Sequence, residues 1–430
     1  MKIKHEPSSQ ARDEDKNIQS GHHNASNQVV TVTQDDMKSF VSTVSMVMNR
    51  ISGADGKKSY HSPIHSGHLN SLITFMQQVL YTDDLPYRIH ERERSEHVRP
   101  GRLAHAMRLL PGFARIHDQS LSYSPDLAFF FEEYRRHPIS NHAFANWDSD
   151  DDYGVAGRFF AEPSSARMAN DFILTMRDSA KSCKLKKRIS DWMSNGKHNL
   201  AFLKKYLDAL FERYARILVV DLVFEYHKVQ CNNEIEAVER RDALQARANR
   251  EHEAYLEGTV HHETPNRWVS LAEVKKDWKD LKDNMRGKRT IFRHLIGYVG
   301  RIEYSRDAGH HVHVCFLFDG SKVQKDVWLS LLIARYWKDR ITKGRGYAFS
   351  CNVKAARGEY KNVGVGMIDH YNTAKRGHLW TAVSYFAKAT QLVRVKNSGK
   401  QKMFLHGQMP DGEARKLGRP RHKGEVAVPA

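Results

Sequence analysis

Glu303, His311 and His313 have the residue types and the spacing of a metal-binding group. They fall in GYVGRIEYSRDAGHHVHVCFLFDG, residues Gly297 to Gly320, which reads as two strands joined by a short loop. Tyr298 to Tyr304 alternates and carries aromatic and β-branched residues, Ser305 to His310 supplies turn residues, and His311 to Phe318 is an apolar run of strand length. Side chains alternate along a strand, so His311 and His313 share one face with Cys315 and Leu317. Val312, Val314, Phe316 and Phe318 take the other face as core. Glu303, across the hairpin, adds a carboxylate oxygen to the two imidazole nitrogens. That donor set suits a divalent ion such as Mn²⁺, with Mg²⁺ or Zn²⁺ as alternatives, and leaves positions open for a substrate oxygen. A His-x-His pair alone is unremarkable in a chain with 25 histidines. What adds to it is Tyr385 and Lys388 downstream, three apart on a predicted helix and so on one face. Tyr385 is the only tyrosine followed three residues later by lysine, and it lies beyond the only His-x-His pair.

In their order and separation these two signals resemble the HUH endonucleases, the rolling-circle replication initiators and their relatives. The likeness is strongest to the initiators of filamentous phages (inoviruses) and to prophage relatives with a YagK/YfjJ-type C-terminal domain. It rests on RILVVDLVFEY (Arg216–Tyr226), GYVGRIEY, HHVHVCFLFDG, VGVGMIDHY (Val363–Tyr371) and SYFAKATQLVR (Ser384–Arg394), and spans the second half of the chain. The resemblance implies a metal held by Glu303, His311 and His313, with Mn²⁺ or Mg²⁺ as cofactor. It implies Tyr385 as nucleophile, leaving a 5′-phosphotyrosine and a free 3′ hydroxyl on single-stranded DNA. Lys388 would orient the phosphate or lower the phenol's pKa. Tyr371 is too far upstream to share a helical turn with Tyr385, so a paired-tyrosine mechanism is not expected. Implied partners are single-stranded DNA, the origin duplex, and host helicase and polymerase. Other readings are a single-tyrosine transposase or relaxase, a metal-dependent hydrolase, and a catalytically inactive DNA-binding regulator. Relaxases usually place the tyrosine before the histidine pair, whereas here it follows.

The 430 residues carry a formal charge of +18, which points to a polyanionic partner. Four scattered cysteines without Cys-x-x-Cys spacing exclude a zinc ribbon and, with no apolar run of membrane-spanning length, lead to the expectation of a protein of the bacterial cytoplasm.

The elements that must position these residues follow from periodicity. Residues 1–34 are polar and predicted disordered, and 35–195 form a mostly helical region. An endonuclease-like domain occupies 196–410, and 411–430 is a flexible basic tail. Helices are predicted over Met37–Ile51, Ser66–Tyr81, Asp126–Arg136, Arg167–Asp191 and Asn199–Arg216, with a loop at Asp148–Asp152. The arginines between Asp83 and Gly112 read as a solvated face, and Lys181 to Arg188 as a candidate duplex contact. Arg216–Tyr226 is nearly continuous in apolar residues, as a central strand covered on both faces should be. Asp221 and Glu225 share a face of it; Asp221 reads as a structural carboxylate, with a place near the metal, as replacement for Glu303, the alternative. Glu234–Glu257 is predicted as a charged, solvent-facing helix, and Ser270–Gly287 as a helix opened by a Ser-x-x-Glu capping box. Val323–Ile341 is predicted helical with Trp328, Leu331, Leu332 and Tyr336 as its core stripe. Gly346–Val353 and Gly364–His370 read as strands and Leu379–Gln391 as the tyrosine helix. From Arg394 onward a mobile basic tail, including Lys400, Lys402, Arg419 and Arg421, would hold DNA by charge. The fold class is therefore α+β: a central antiparallel sheet of about five strands with flanking helices, of the HUH nuclease or RRM-like kind, preceded by a mostly helical N-terminal region.

Overall fold

The computed structural model describes residues 50–52, 59–61, 66–92, 95–141, 162–261, 263–305, 308–360, 363–388, 393–396 and 402–410. The fold is α+β and is built on one six-stranded antiparallel sheet. Arg50–Ser52 (β1) pairs with Ser59–His61 (β2), Tyr87–Arg92 (β3) with Ser95–Pro100 (β4), and Leu121–Tyr123 is β5. The central sheet uses Arg216–Tyr226 (β6), Leu295–Ser305 (β7), Gly309–Asp319 (β8), Gly346–Ser350 (β9) and Gly366–Asp369 (β10). Val393–Val395 (β11) pairs with β5, and Phe404–His406 (β12) completes the central sheet. The order is β10-β6-β8-β7-β12. β9 and β10 follow one another along the same strand, opposite Leu222–Tyr226 and Arg216–Val219 respectively.

Both faces of this sheet are covered, which explains the unbroken apolar run of β6. Leu218, Val220, Leu222 and Phe224 join Val312, Val314, Phe316 and Phe318 on one face. Leu271–Gly287 packs on that face through Val274, Trp278, Leu281 and Met285, with Leu329, Ile333 and Trp337 beside them. Ile217, Val219, Val299, Cys315 and Leu317 occupy the other face. The long helix Leu185–Arg213 covers it with Leu203, Tyr206, Leu207 and Leu210, and Thr373–Lys388 with Leu379, Val383, Phe386 and Ala387.

The N-terminal helices Ser66–Tyr81 (α1), Ala104–Ala114 (α2), Pro125–Arg136 (α3) and Pro163–Ser182 (α4) build a separate aromatic-rich core around Phe75, Phe113, Phe130 and Phe172. Leu185–Arg213 (α5) follows α4 after a break at Lys184, which sits in the left-handed region at φ 51°. The single helix expected over Arg167–Asp191 is therefore two. Glu234–Glu257 (α6) is not the solvent-facing excursion expected: it buries Tyr255 in the N-terminal core. It also buries an Arg247–Glu251 ion pair at 2.8 Å.

Other expectations are corrected. The end of the predicted Met37–Ile51 helix is strand at Arg50–Ser52, and its remainder, like Asp148–Asp152, lies outside the described residues. The arginine-rich stretch after Asp83 includes the β3–β4 hairpin, with Arg88 opposite Arg99. Ser270 caps Leu271–Gly287 (α7) by accepting from the Glu273 amide at 3.2 Å. The Glu273 side chain turns instead to Lys228 and Arg345.

The stripe assigned to the helix after Gly320 is wrong. In Asp326–Tyr336 (α8), Trp328 is 57% exposed and Leu331 53%, while Leu329, Ser330 and Ile333 are buried. DVWLSLLIARY is apolar nearly all round, so its periodicity does not choose a face; packing against β6 and β9 does. A π-turn over Trp337–Ile341 then swings Trp337 into the core, stacked on Phe224 at 4.5 Å. The strand expected over Gly346–Val353 stops at Ser350, whose hydroxyl accepts from the Val353 amide and caps Cys351–Ala356 (α9). The tyrosine helix, Thr373–Lys388 (α10), starts earlier than expected. Finally, part of the expected mobile tail is folded: β12 forms one edge of the central sheet.

Candidate functional site

The two faces of the β6–β8–β7 sheet diverge at one end. On the face covered by α5 and α10, the apolar residues give way to Asp221 on β6, Arg301 and Glu303 on β7, and His311 and His313 on β8. Register dictates the arrangement: Glu303 stands opposite His311, Arg301 opposite His313, and Asp221 one pair away, opposite Cys315. The hairpin between β7 and β8 is held close by Gly300, where a Cβ would lie 2.5 Å from the His313 carbonyl oxygen. At its turn, Gly309 takes φ 79°, open to glycine at little cost.

The Glu303 carboxylate lies between the histidines, Oε2 at 3.5 Å from His311 Nε2 and Oε1 at 3.9 Å from His313 Nδ1. It is 5% exposed, and neither oxygen makes a hydrogen bond of ordinary geometry. Burial acts to raise its pKa, but His311, His313 and the Arg301 guanidinium outweigh that and hold it below the usual carboxylate value. A buried carboxylate with unsatisfied oxygens between two imidazoles fits a cation, so these residues suit the divalent ion expected of them. On the far side of its ring, His313 Nε2 meets Asp221 Oδ1 at 2.9 Å. Burial works against the imidazolium, yet the Asp221 carboxylate more than compensates and holds the His313 pKa well above the ordinary value. Asp221 is fixed in turn by Asn352, whose Oδ1 accepts from the Asp221 amide at 2.8 Å and whose Nδ2 donates to the Val219 carbonyl at 2.9 Å.

Helix α10 brings Tyr385 to this group. Phe386, the next residue, packs edge-on against His313 at 4.8 Å, and its carbonyl accepts from buried Arg301 Nη1 at 2.9 Å. Burial pushes the Tyr385 phenol well above its ordinary pKa, and the Glu303 carboxylate pushes it further, with Arg301 opposing. Tyr385 also packs against both the N-terminal core and the core beneath α10. Glu303, His311, His313 and Tyr385 are thus brought together. Lys388 ends α10, but its side chain lies outside the described residues. So do Lys400, Arg419 and Arg421 altogether. Lys402 is exposed, two residues before the edge strand β12. Tyr371, ahead of α10, is 60% exposed.

Sequence reasoning passed over Arg301, Cys351 and Asn352, and weighed Asp221 near the metal but preferred a structural role for it. Arg301 was legible, being two before Glu303 and hence on its face. Asp221 shares a face of β6 with Glu225, but only strand order sets it beside His313. Cys351 and Asn352 owe their place to the α9 cap, which the strand reading hid. Among the described residues, the group whose donor atoms all lie within 4.8 Å of one another is Asp221, His313 and Cys351.

Fold and site together define an α+β protein with a buried His/carboxylate group facing a helix-borne tyrosine. The chain belongs to the YagK/YfjJ C-terminal domain family of prophage-type proteins, whose model matches residues 179–404, just over half its length. No curated protein and no solved structure matches the chain. Among the described residues no helix is long and apolar enough to cross a membrane.

Proposed function

We propose that this protein is a replication-initiation endonuclease of a filamentous phage or prophage, of the HUH kind, cutting single-stranded origin DNA through Tyr385. The observation that carries the reading is the buried Glu303 carboxylate set between His311 and His313, with the Tyr385 phenol beside it. A divalent ion held by Glu303, His311 and His313, such as Mn²⁺ or Mg²⁺, would supply positive charge at the phosphate oxygens.

The protein's own residues do the rest. Arg301 pins the Phe386 carbonyl and so fixes α10 over the sheet, which sets the direction of the phenol. Asp221 holds His313 by Nε2 and leaves Nδ1 turned to Glu303. Tyr385 Oη attacks phosphorus, the bond from phosphorus to the 3′ oxygen breaks, and the 3′ oxygen leaves as a hydroxyl. A phenol with a raised pKa is protonated at neutral pH and must give up its proton as it attacks, so the rate climbs with pH across the neutral range. The phosphotyrosine bond keeps the energy of the original phosphodiester, and attack by a 3′ hydroxyl religates the strand.

The test uses full-length protein, Mn²⁺, and single-stranded oligonucleotides tiled across its own coding region and flanks. One oligonucleotide should yield an adduct that survives denaturation, and Glu303→Gln or His311→Ala should abolish it while the protein still binds DNA. If no tile gives an adduct, the reading fails.

A further inference from the structure

We propose that Asp221, His313 and Cys351 form a second metal site, one selective for a thiolate-accepting divalent cation of the zinc class. A carboxylate oxygen, an imidazole nitrogen and a sulfur from three different elements, β6, β8 and α9, lie within 4.8 Å of one another. Two of the donors already stand at near-ligand spacing, Asp221 Oδ1 and His313 Nε2 at 2.9 Å. Ligands 2.0–2.1 Å from a tetrahedral zinc stand roughly 3.3 Å apart, so the pair needs to open by only a few tenths of an ångström. The positions are built rather than incidental. Asn352 holds the Asp221 backbone and also donates to Asp326 at 2.8 Å, while Ser350 caps the helix that presents Cys351.

The mixture of donors sets the selectivity. Mg²⁺ and Mn²⁺ favour oxygen ligands, whereas sulfur with imidazole favours zinc or cobalt. Three protein ligands leave a fourth position, and the Tyr360 hydroxyl lies beside the Cys351 sulfur, 38% exposed at the outer side of the group. Binding exchanges the thiol proton and any imidazolium proton for the metal, with both released to solvent. The site uses His313 Nε2, the nitrogen turned away from Glu303, so the two groups share one imidazole. The binding claim stands on this geometry alone. Its consequence, that zinc occupancy suppresses the Mn²⁺-dependent adduct, rests on the functional reading above.

Cobalt(II) titration of the full-length protein tests it, since a cobalt–thiolate bond gives a near-ultraviolet charge-transfer band. Wild type should show the band at one equivalent and lose it to zinc. Cys351→Ser should lack the band and bind zinc more weakly by at least about tenfold, with an unchanged far-ultraviolet circular dichroism spectrum. Cys315→Ser should keep it. Absence of the band in wild type, or its survival in Cys351→Ser, overturns the proposal. Glu303→Gln, which leaves all three donors of this site in place, should keep the band and lose the adduct. A band with no adduct in wild type would leave the metal site standing and sink the nuclease, and an adduct with no band would do the reverse.

Discussion

The two faces of one sheet are built from the same three strands and do opposite work. Beneath α7 and α8 every inward residue of β6 and β8 is apolar, from Leu218 to Phe224 and from Val312 to Phe318. Beneath α5 and α10 the same strands are apolar at one end, at Ile217, Val219 and Leu317, and charged at the other, at Asp221, Arg301, Glu303 and the two histidines. Alternation lets one strand serve both: the even residues of β8 from Val312 to Phe318 make core while His311 and His313 make the site. Buried charge costs stability unless it is paired, so the apolar face and its helices must hold a sheet whose other face is partly spent on chemistry.

The sharpest way to break this comparison is to empty the apolar face. Phe316, fully buried, packs against both Phe224 and Phe292. Phe316→Ala should lower unfolding stability by about 3–5 kcal/mol in urea denaturation; a loss under 1 kcal/mol would mean that this face is not what holds the sheet.

A smaller loss is expected on the polar face. Asp221→Asn removes the charged partner of His313 and should cost about 1.5–3 kcal/mol. Because Asp221 raises the folded His313 pKa, this stabilisation is fully present below the unfolded imidazole value of about 6.5. It fades as pH rises through the higher folded value. The gap between wild type and variant should therefore narrow from pH 6 upward into the alkaline range; a gap that widens would contradict the assignment.

At the sheet's edge the expected effects are slighter. Lys402→Ala should reduce the slope of log affinity for single-stranded DNA against log salt by about 0.7, one phosphate contact, as read by fluorescence anisotropy. An unchanged slope removes Lys402 from the DNA path. The smallest effect belongs to Trp328→Ala on the outer side of α8. It should change stability by no more than about 0.5 kcal/mol, because the ring is largely in solvent.

How much was legible in the sequence follows the same division. Long elements with one strong pattern could be read from it: Ser66–Tyr81, Arg216–Tyr226 and Glu234–Glu257 have the bounds that periodicity assigns. Elements whose identity is decided by a partner could not. The hairpin Tyr87–Pro100 is polar on its outer face, and Val393–Val395 and Phe404–His406 are three-residue strands defined by what they pair with. Of the site, Glu303, His311, His313 and Tyr385 could be found by type and spacing. Asp221 beside His313 depended on β6 lying next to β8, and Cys351 on a helix cap, neither of which local spacing encodes.

The central claim is that Tyr385 is the nucleophile, and peptide mapping of the denatured protein–DNA adduct tests it most directly. After nuclease and protease digestion, mass spectrometry should find the nucleotide remnant on the peptide containing Tyr385, and Tyr385→Phe, which keeps the ring, should yield no adduct. A remnant on Tyr371, or an adduct of undiminished yield from Tyr385→Phe, would contradict the account.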